Sequence, residues 1–113
     1  MLLALFAQVA LAQNPLAVTH PKPIPLRIIH ADDYPFQARR HGWEGTVVAD
    51  LTISARGTVD KCDVVKSSGY KLLDDTTCSI LVKRARFHPA RDKDGNAVAD
   101  VVRTPEIGWK VSY

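Results

Sequence analysis

Between Thr46 and Ser54 the chain alternates without a break: Val47, Ala49, Leu51 and Ile53 fall on one side of a period-two pattern, and Thr46, Val48, Asp50, Thr52 and Ser54 on the other. A nine-residue run of this period is a strand with one face toward a core and one toward water. Arg56-Gly57 follows, and Thr58 to Lys66 places Val59, Cys62, Val64 and Val65 in a second extended run. So short a connection joins antiparallel neighbours. This hairpin constrains the rest of the chain, because its apolar face has to be covered.

The cover is legible on both sides of the hairpin. Upstream, Asp33 can cap a helix with Pro35 just inside its first turn, and Gly42 stands where a short helix through Phe36 to His41 would end. Downstream, Ser67-Ser68-Gly69 breaks the strand, and Leu73, Thr77, Ile80, Leu81 and Ala85 recur at helical spacing, which predicts a long helix over Leu72 to Arg86. Its Lys83-Arg84-Ala85-Arg86 end suits the negative pole of the helix dipole. Phe87-His88-Pro89-Ala90 stops it, Asp92 to Asn96 is a turn cluster, and Ala97 to Val111 is again β-rich. Pro105 has no donor and must interrupt that last strand or lie on an edge. The order helix, strand, strand, helix, strand gives an α+β fold in which two helices pack on one face of a small three-stranded antiparallel sheet. One long strand is then an edge with unpaired backbone groups.

With 113 residues there is room for one modest core and no second domain. The formal charge of +3 comes from interspersed Lys, Arg, Asp and Glu, which argues against a nucleic-acid binder working by counterion release. Eleven of the first twelve residues are apolar, and the run closes on Ala10-Leu11-Ala12, the small-x-small pattern that signal peptidase accepts. Residues 1–12 are therefore expected to be an export signal, cut between Ala12 and Gln13. As a helix they cover about 18 Å against about 30 Å of hydrocarbon, which favours a cleaved signal over an anchor. No Lys or Arg precedes the run, so a start upstream of Met1, which would restore the anchor reading, stays open. Residues 13–33 carry Pro15, Pro21, Pro23 and Pro25 and are expected to form an extended tether or a plain leader. The domain proper runs over 34–113.

Cys62 and Cys78 fit export to an oxidising compartment, where a loop of their spacing can close as a disulfide and is worth about 3 kcal/mol in the chain-entropy model. Two half-buried free thiols are the alternative. The spacing is not that of a CxxC redox pair, and His20, His30, His41 and His88 show no zinc-ligand spacing. Ser67 and Ser68 lack the glycines of a nucleophile elbow, Asp74-Asp75 suits a helix start, and Asp92, Asp94 and Gly95 lack the final Glu of a calcium loop. The residues point to no enzyme, metal, cofactor or small-molecule substrate.

Tyr34-Pro35, Ala38, Gly42, Glu44-Gly45, Thr46-Val-Val-Ala-Asp-Leu-Thr-Ile53, Gly57-Thr-Val59, Val64-Val-Lys-Ser-Ser-Gly69, Leu73-Asp74, Phe87-His-Pro-Ala90 and Trp109 come in an ordered series that resembles the TonB C-terminal domain over essentially all of 34–113. The resemblance implies a periplasmic module that links inner-membrane energy to outer-membrane transporters for siderophores and similar cargo, by pairing with a short transporter segment, the TonB box. It also implies that Cys62 and Cys78 staple the second strand to the long helix, as in a subset of the family. Pairing of this kind is β-augmentation, with affinity from the backbone and selectivity from alternate side chains. The family's edge corresponds to Ala97 to Val111, so the expected contacts are Val98, Asp100 and Val102, or the half with Ile107 and Trp109, together with Tyr34 and Pro35. The partner would be a TonB-dependent transporter or another envelope protein. A structural envelope module that forms a homodimer through the same edge is the alternative.

Overall fold

The computed structural model describes residues 14–24 and 28–111. The expected export signal and its Ala12–Gln13 cleavage point lie outside the described residues. The hairpin is as the alternation predicts: β2 (Gly45–Ile53) and β3 (Val59–Lys66) pair antiparallel, and Val47, Ala49, Leu51 and Ile53 are buried in a row. Short β1 (Lys22–Pro23) precedes them in the chain. The helices are α1 (Phe36–His41) and α2 (Lys71–Arg84), and both cover the apolar face of β2. Leu81 and Ala85 pack on Ala49, Leu51, Ile53 and Val59, while Ala38, Leu73 and Ile80 pack on Val47 and Trp109.

After α2 the chain forms β4 (Phe87–His88), β5 (Ala90–Arg91), β6 (Ala97–Val98), β7 (Asp100–Arg103) and β8 (Ile107–Trp109). β2 is central, with β3 on one flank and β7 and β8 on the other. The expected third strand is thus present but split in two. The register moves from Asp50 opposite Arg103 to Val47 opposite Ile107, so the chain carries one extra residue around Pro105. That is a bulge where the ladder has no use for a proline.

Two expectations need correction. Asp33 does not cap α1; Pro35 holds the cap position, and Asp33 closes a 3-10 turn over Ala31–Asp33. There it accepts the His30 amide at 2.8 Å and a bidentate pair from Arg84 at 2.7 and 2.9 Å. A carboxylate that can pin a distant helix gains more from that than from a six-residue helix start. The long helix also ends at Arg84 rather than Arg86. Ala85 turns extended, which frees Phe87 to donate to the Gly57 carbonyl at 2.8 Å and the Arg86 carbonyl to accept from Ile24 at 2.9 Å.

Most of the motif residues hold this frame to itself. A Cβ on Gly45 would lie 2.5 Å from the Ser68 carbonyl oxygen, so β2 passes the Ser67-Ser68-Gly69 turn where only glycine fits. Burial of the Asp74 carboxyl opposes its ionisation, but hydrogen bonds from the Ser67 hydroxyl and from the Ser68 amide and hydroxyl outweigh that and hold its pKa below the ordinary range. Gly57, at φ +84°, lies under the Phe87 carbonyl. Cys62 on β3 and Cys78 on α2 are joined by a disulfide, with Cα atoms 5.6 Å apart. Free thiols, the alternative at these positions, are absent among the described residues.

The stretch expected to be a tether or leader is part turn and part short strand where it is described, and it lies against the domain. β1 pairs with β4, Val18 and Thr19 donate to the Arg91 carbonyl, and Ile28 and Ile29 join the two apolar clusters. The alternate prolines Pro21 and Pro23 suit this role, since proline keeps the strip extended there and every second side chain can face the domain.

Candidate functional site

The flank formed by β7 and β8 is where the sheet offers backbone to a partner. The Thr104 amide donates to the Ala49 carbonyl at 2.8 Å, and the Ala49 amide donates to the Thr104 hydroxyl at 3.1 Å. In an antiparallel ladder the bonded residues alternate, so Asp100, Val102 and Thr104 face β2 and the backbone groups of Val101 and Arg103 face outward. The Val101 amide is already taken by Asp100 Oδ1 at 2.8 Å. Arg103 is held flat on the outer sheet face by a bidentate pair to Asp50 at 2.7 and 3.0 Å. Just beyond, Lys66 Nζ donates to Glu106 at 2.6 Å, a hydrogen bond that draws the Glu106 pKa below its ordinary value. The outer face is thereby tied across three strands by charge.

The inner side of this flank opens on an apolar groove of about 600 Å³. Val102, Pro105 and Ile107 form one wall, Pro21, Pro23 and Ile24 the other, and Leu81 lies among the residues between them. The strip that precedes the domain is therefore one bank of the groove.

The residues singled out from sequence are distributed unequally around this edge. Val102 and Ile107 are half-buried on the groove side. Val98 sits apart in the β5–β6 ribbon, opposite Ala90. Asp100 is 3% exposed, and its Oδ1 also accepts the Asn14 amide at 2.9 Å. Trp109 is buried; its indole donates to Thr77 Oγ1 at 2.7 Å and its ring meets Tyr34 edge-on, centroids 5.3 Å apart. The Tyr34 hydroxyl donates to the Trp43 carbonyl, Arg39 lies over the Tyr34 ring, and Pro35 starts α1. Tyr34 and the Trp109 side chain are thus engaged within the domain, and the β8 backbone lies at the flank. The groove bank from Pro21 to Ile24 was not singled out from sequence, although its alternate prolines, Pro21 and Pro23, are the signal that marks it. Among the described residues, no group of His, Cys, Asp or Glu is placed to hold a metal, and no helix is long and apolar enough to cross a membrane.

Fold and edge define a class: a small α+β domain with helices on one face of an antiparallel sheet and its last strand, interrupted, at the flank. The profile of the family described as Gram-negative bacterial TonB protein C-terminal matches residues 31–109, and the chain belongs to that family. Among its relatives is Protein tonB2 of Pseudomonas aeruginosa, 42% identical over 64 residues. That match takes in 57% of this chain and 23% of the relative, so the chain spans about a quarter of the curated relative's length.

Proposed function

We propose that this protein is a periplasmic binding module of energy-coupled transport, and that it takes an extended TonB-box-type segment of an outer-membrane transporter as an added strand beside β7. The observation that carries the reading is the outward-facing backbone of Arg103, with the Val101 carbonyl beside it, next to an apolar groove. Family membership and the relative named Protein tonB2 support the transport setting. An added strand would draw its affinity from the outward groups and send alternate side chains into the groove, which fixes register. Val102 and Ile107 would set side-chain preference, and Tyr34, Pro35 and Trp109 would hold the flank in place.

The test is an NMR titration of the labelled protein with a TonB-box peptide. Amide shifts should concentrate in Val101 to Trp109; if these residues stay unmoved at saturating peptide, the proposal fails. Arg103→Pro removes the outward donor without breaking a bond to β2, and Arg103→Ala removes the same ion pair while keeping the donor. The proline variant should bind roughly three- to tenfold more weakly than the alanine variant, the worth of one hydrogen bond.

One observation favours self-association as a second reading. β3 is an eight-residue flank, and Val64 and Val65 on it are 37% and 47% exposed. A homodimer through that edge would sediment as such at micromolar concentration, and a monomer there sinks this reading.

A further inference from the structure

The walls of the groove beside β7 give a ligand few backbone donors. Pro21 and Pro23 on one bank and Pro105 on the other have no amide hydrogen, and the amides of Ile24, Phe87 and Thr104 are already given to the carbonyls of Arg86, Gly57 and Ala49. A peptide backbone or a sugar laid along the floor would be shut from water without donors for its oxygens, which costs free energy, whereas a hydrocarbon chain there leaves nothing unpaired. A cation stands at the mouth. Arg86 lines the groove and is exposed; its guanidinium donates to the Ala85 carbonyl at 2.7 Å and forms no ion pair among the described residues. Donors of its fork therefore remain for a ligand. The other guanidinium on the groove, that of Arg103, is taken by Asp50.

We propose that the groove takes a free fatty acid, with a single hydrocarbon chain between the two banks and the carboxylate on the Arg86 guanidinium at the mouth. Charge decides the head group, because an unpaired guanidinium matches a carboxylate with parallel hydrogen bonds, and a carboxyl group is ionised at neutral pH. The lining decides the tail, because Leu81 on the floor and Val102 and Ile107 on the bank gain by covering apolar surface and can bond to nothing. A volume of about 600 Å³ lies within the range for one small ligand, and suits one chain rather than the two of a bilayer phospholipid. The inference is independent of strand addition, since it uses the groove and Arg86 and none of the outward backbone of β7.

The test is a titration of the full chain with octanoate, decanoate and dodecanoate below their micelle concentrations, read by calorimetry and by backbone amide shifts, with decanol as the uncharged control. Each added pair of methylenes should tighten binding roughly tenfold, and the shifts should gather at Phe87, Val102 and Ile107. Arg86→Gln should weaken decanoate roughly three- to tenfold, the worth of a charged hydrogen bond at an exposed site, and leave decanol unchanged. Arg86→Lys keeps the charge and should retain most of the affinity. Decanol binding by both variants reports that the groove is intact. No binding of dodecanoate, an affinity flat with chain length, decanoate held as tightly by Arg86→Gln as by the wild type, or shifts outside the groove would each overturn the proposal. So would sedimentation with vesicles of anionic phospholipid by a protein that ignores the free acids, because the surface would then belong to a membrane. The TonB-box peptide titration reads docking separately, so either idea can fail alone.

Discussion

At the scale of single residues, this domain spends its most recognisable positions on its own frame. Gly45 admits the Ser68 carbonyl, Asp74 gathers the turn that carries it, and Trp109 is buried against Thr77 and Tyr34. Gly45→Ala would push a methyl group into backbone, and should destabilise the fold by about 1–3 kcal/mol in chemical denaturation. A variant as stable as the wild type would show that the turn yields freely. Asp33 makes a prediction about acid. Hydrogen bonds from the Arg84 guanidinium and then the His30 amide hold its pKa down to about 2, against 3.8 ordinarily. The unfolded chain therefore takes up this proton first as pH falls, and the stabilisation is complete above the ordinary carboxylate range and lost as pH drops toward 2. Melting curves over that window should fall more steeply for the wild type than for Asp33→Asn; parallel curves would remove the pair from the stability account. Residue types alone showed that these positions matter to a pattern, but the partner that makes each necessary is 23 residues away for Gly45 and 51 for Asp33.

At the scale of elements, the sequence was most legible where one periodicity ran uninterrupted. The inner row of β2 and the buried stripe of α2 follow directly from their spacing, because a single covered face imposes period two on a strand and about 3.6 on a helix. Boundaries were less legible. α2 ends two residues early because Arg86 and Phe87 find better hydrogen bonds outside the helix, and the last strand divides because Pro105 has nothing to donate. The disulfide works at this scale too, since it fastens the exposed strand β3 to α2. Reducing it should lower stability by about 2–4 kcal/mol, seen as a melting temperature that falls on adding reductant and matches that of Cys62→Ser/Cys78→Ser. A domain indifferent to reductant would leave the staple without a thermodynamic role.

At the scale of the whole molecule, the groove exists only because two distant parts of the chain face each other. The strip from Pro21 to Ile24 is one bank and the flank from Val102 to Ile107 is the other. If the strip contributes apolar wall to a docked strand, deleting residues 14–24 should weaken peptide binding by about tenfold, while amide shifts on binding remain in β7 and β8. Undiminished affinity in the deleted chain would assign the strip to stability alone.

The sequence by itself determined the hairpin, the two helices, the one-sided core and the family pattern, because each is written in local spacing that survives without knowledge of any partner. Tertiary structure alone decided which motif residues face inward, where the last strand breaks, and that the Pro-rich strip lies on the domain. Those outcomes depend on groups brought together from far along the chain, such as Asn14 and Asp100, 86 residues apart. No local period encodes such a meeting; it is fixed only when burial forces every polar group to find its partner.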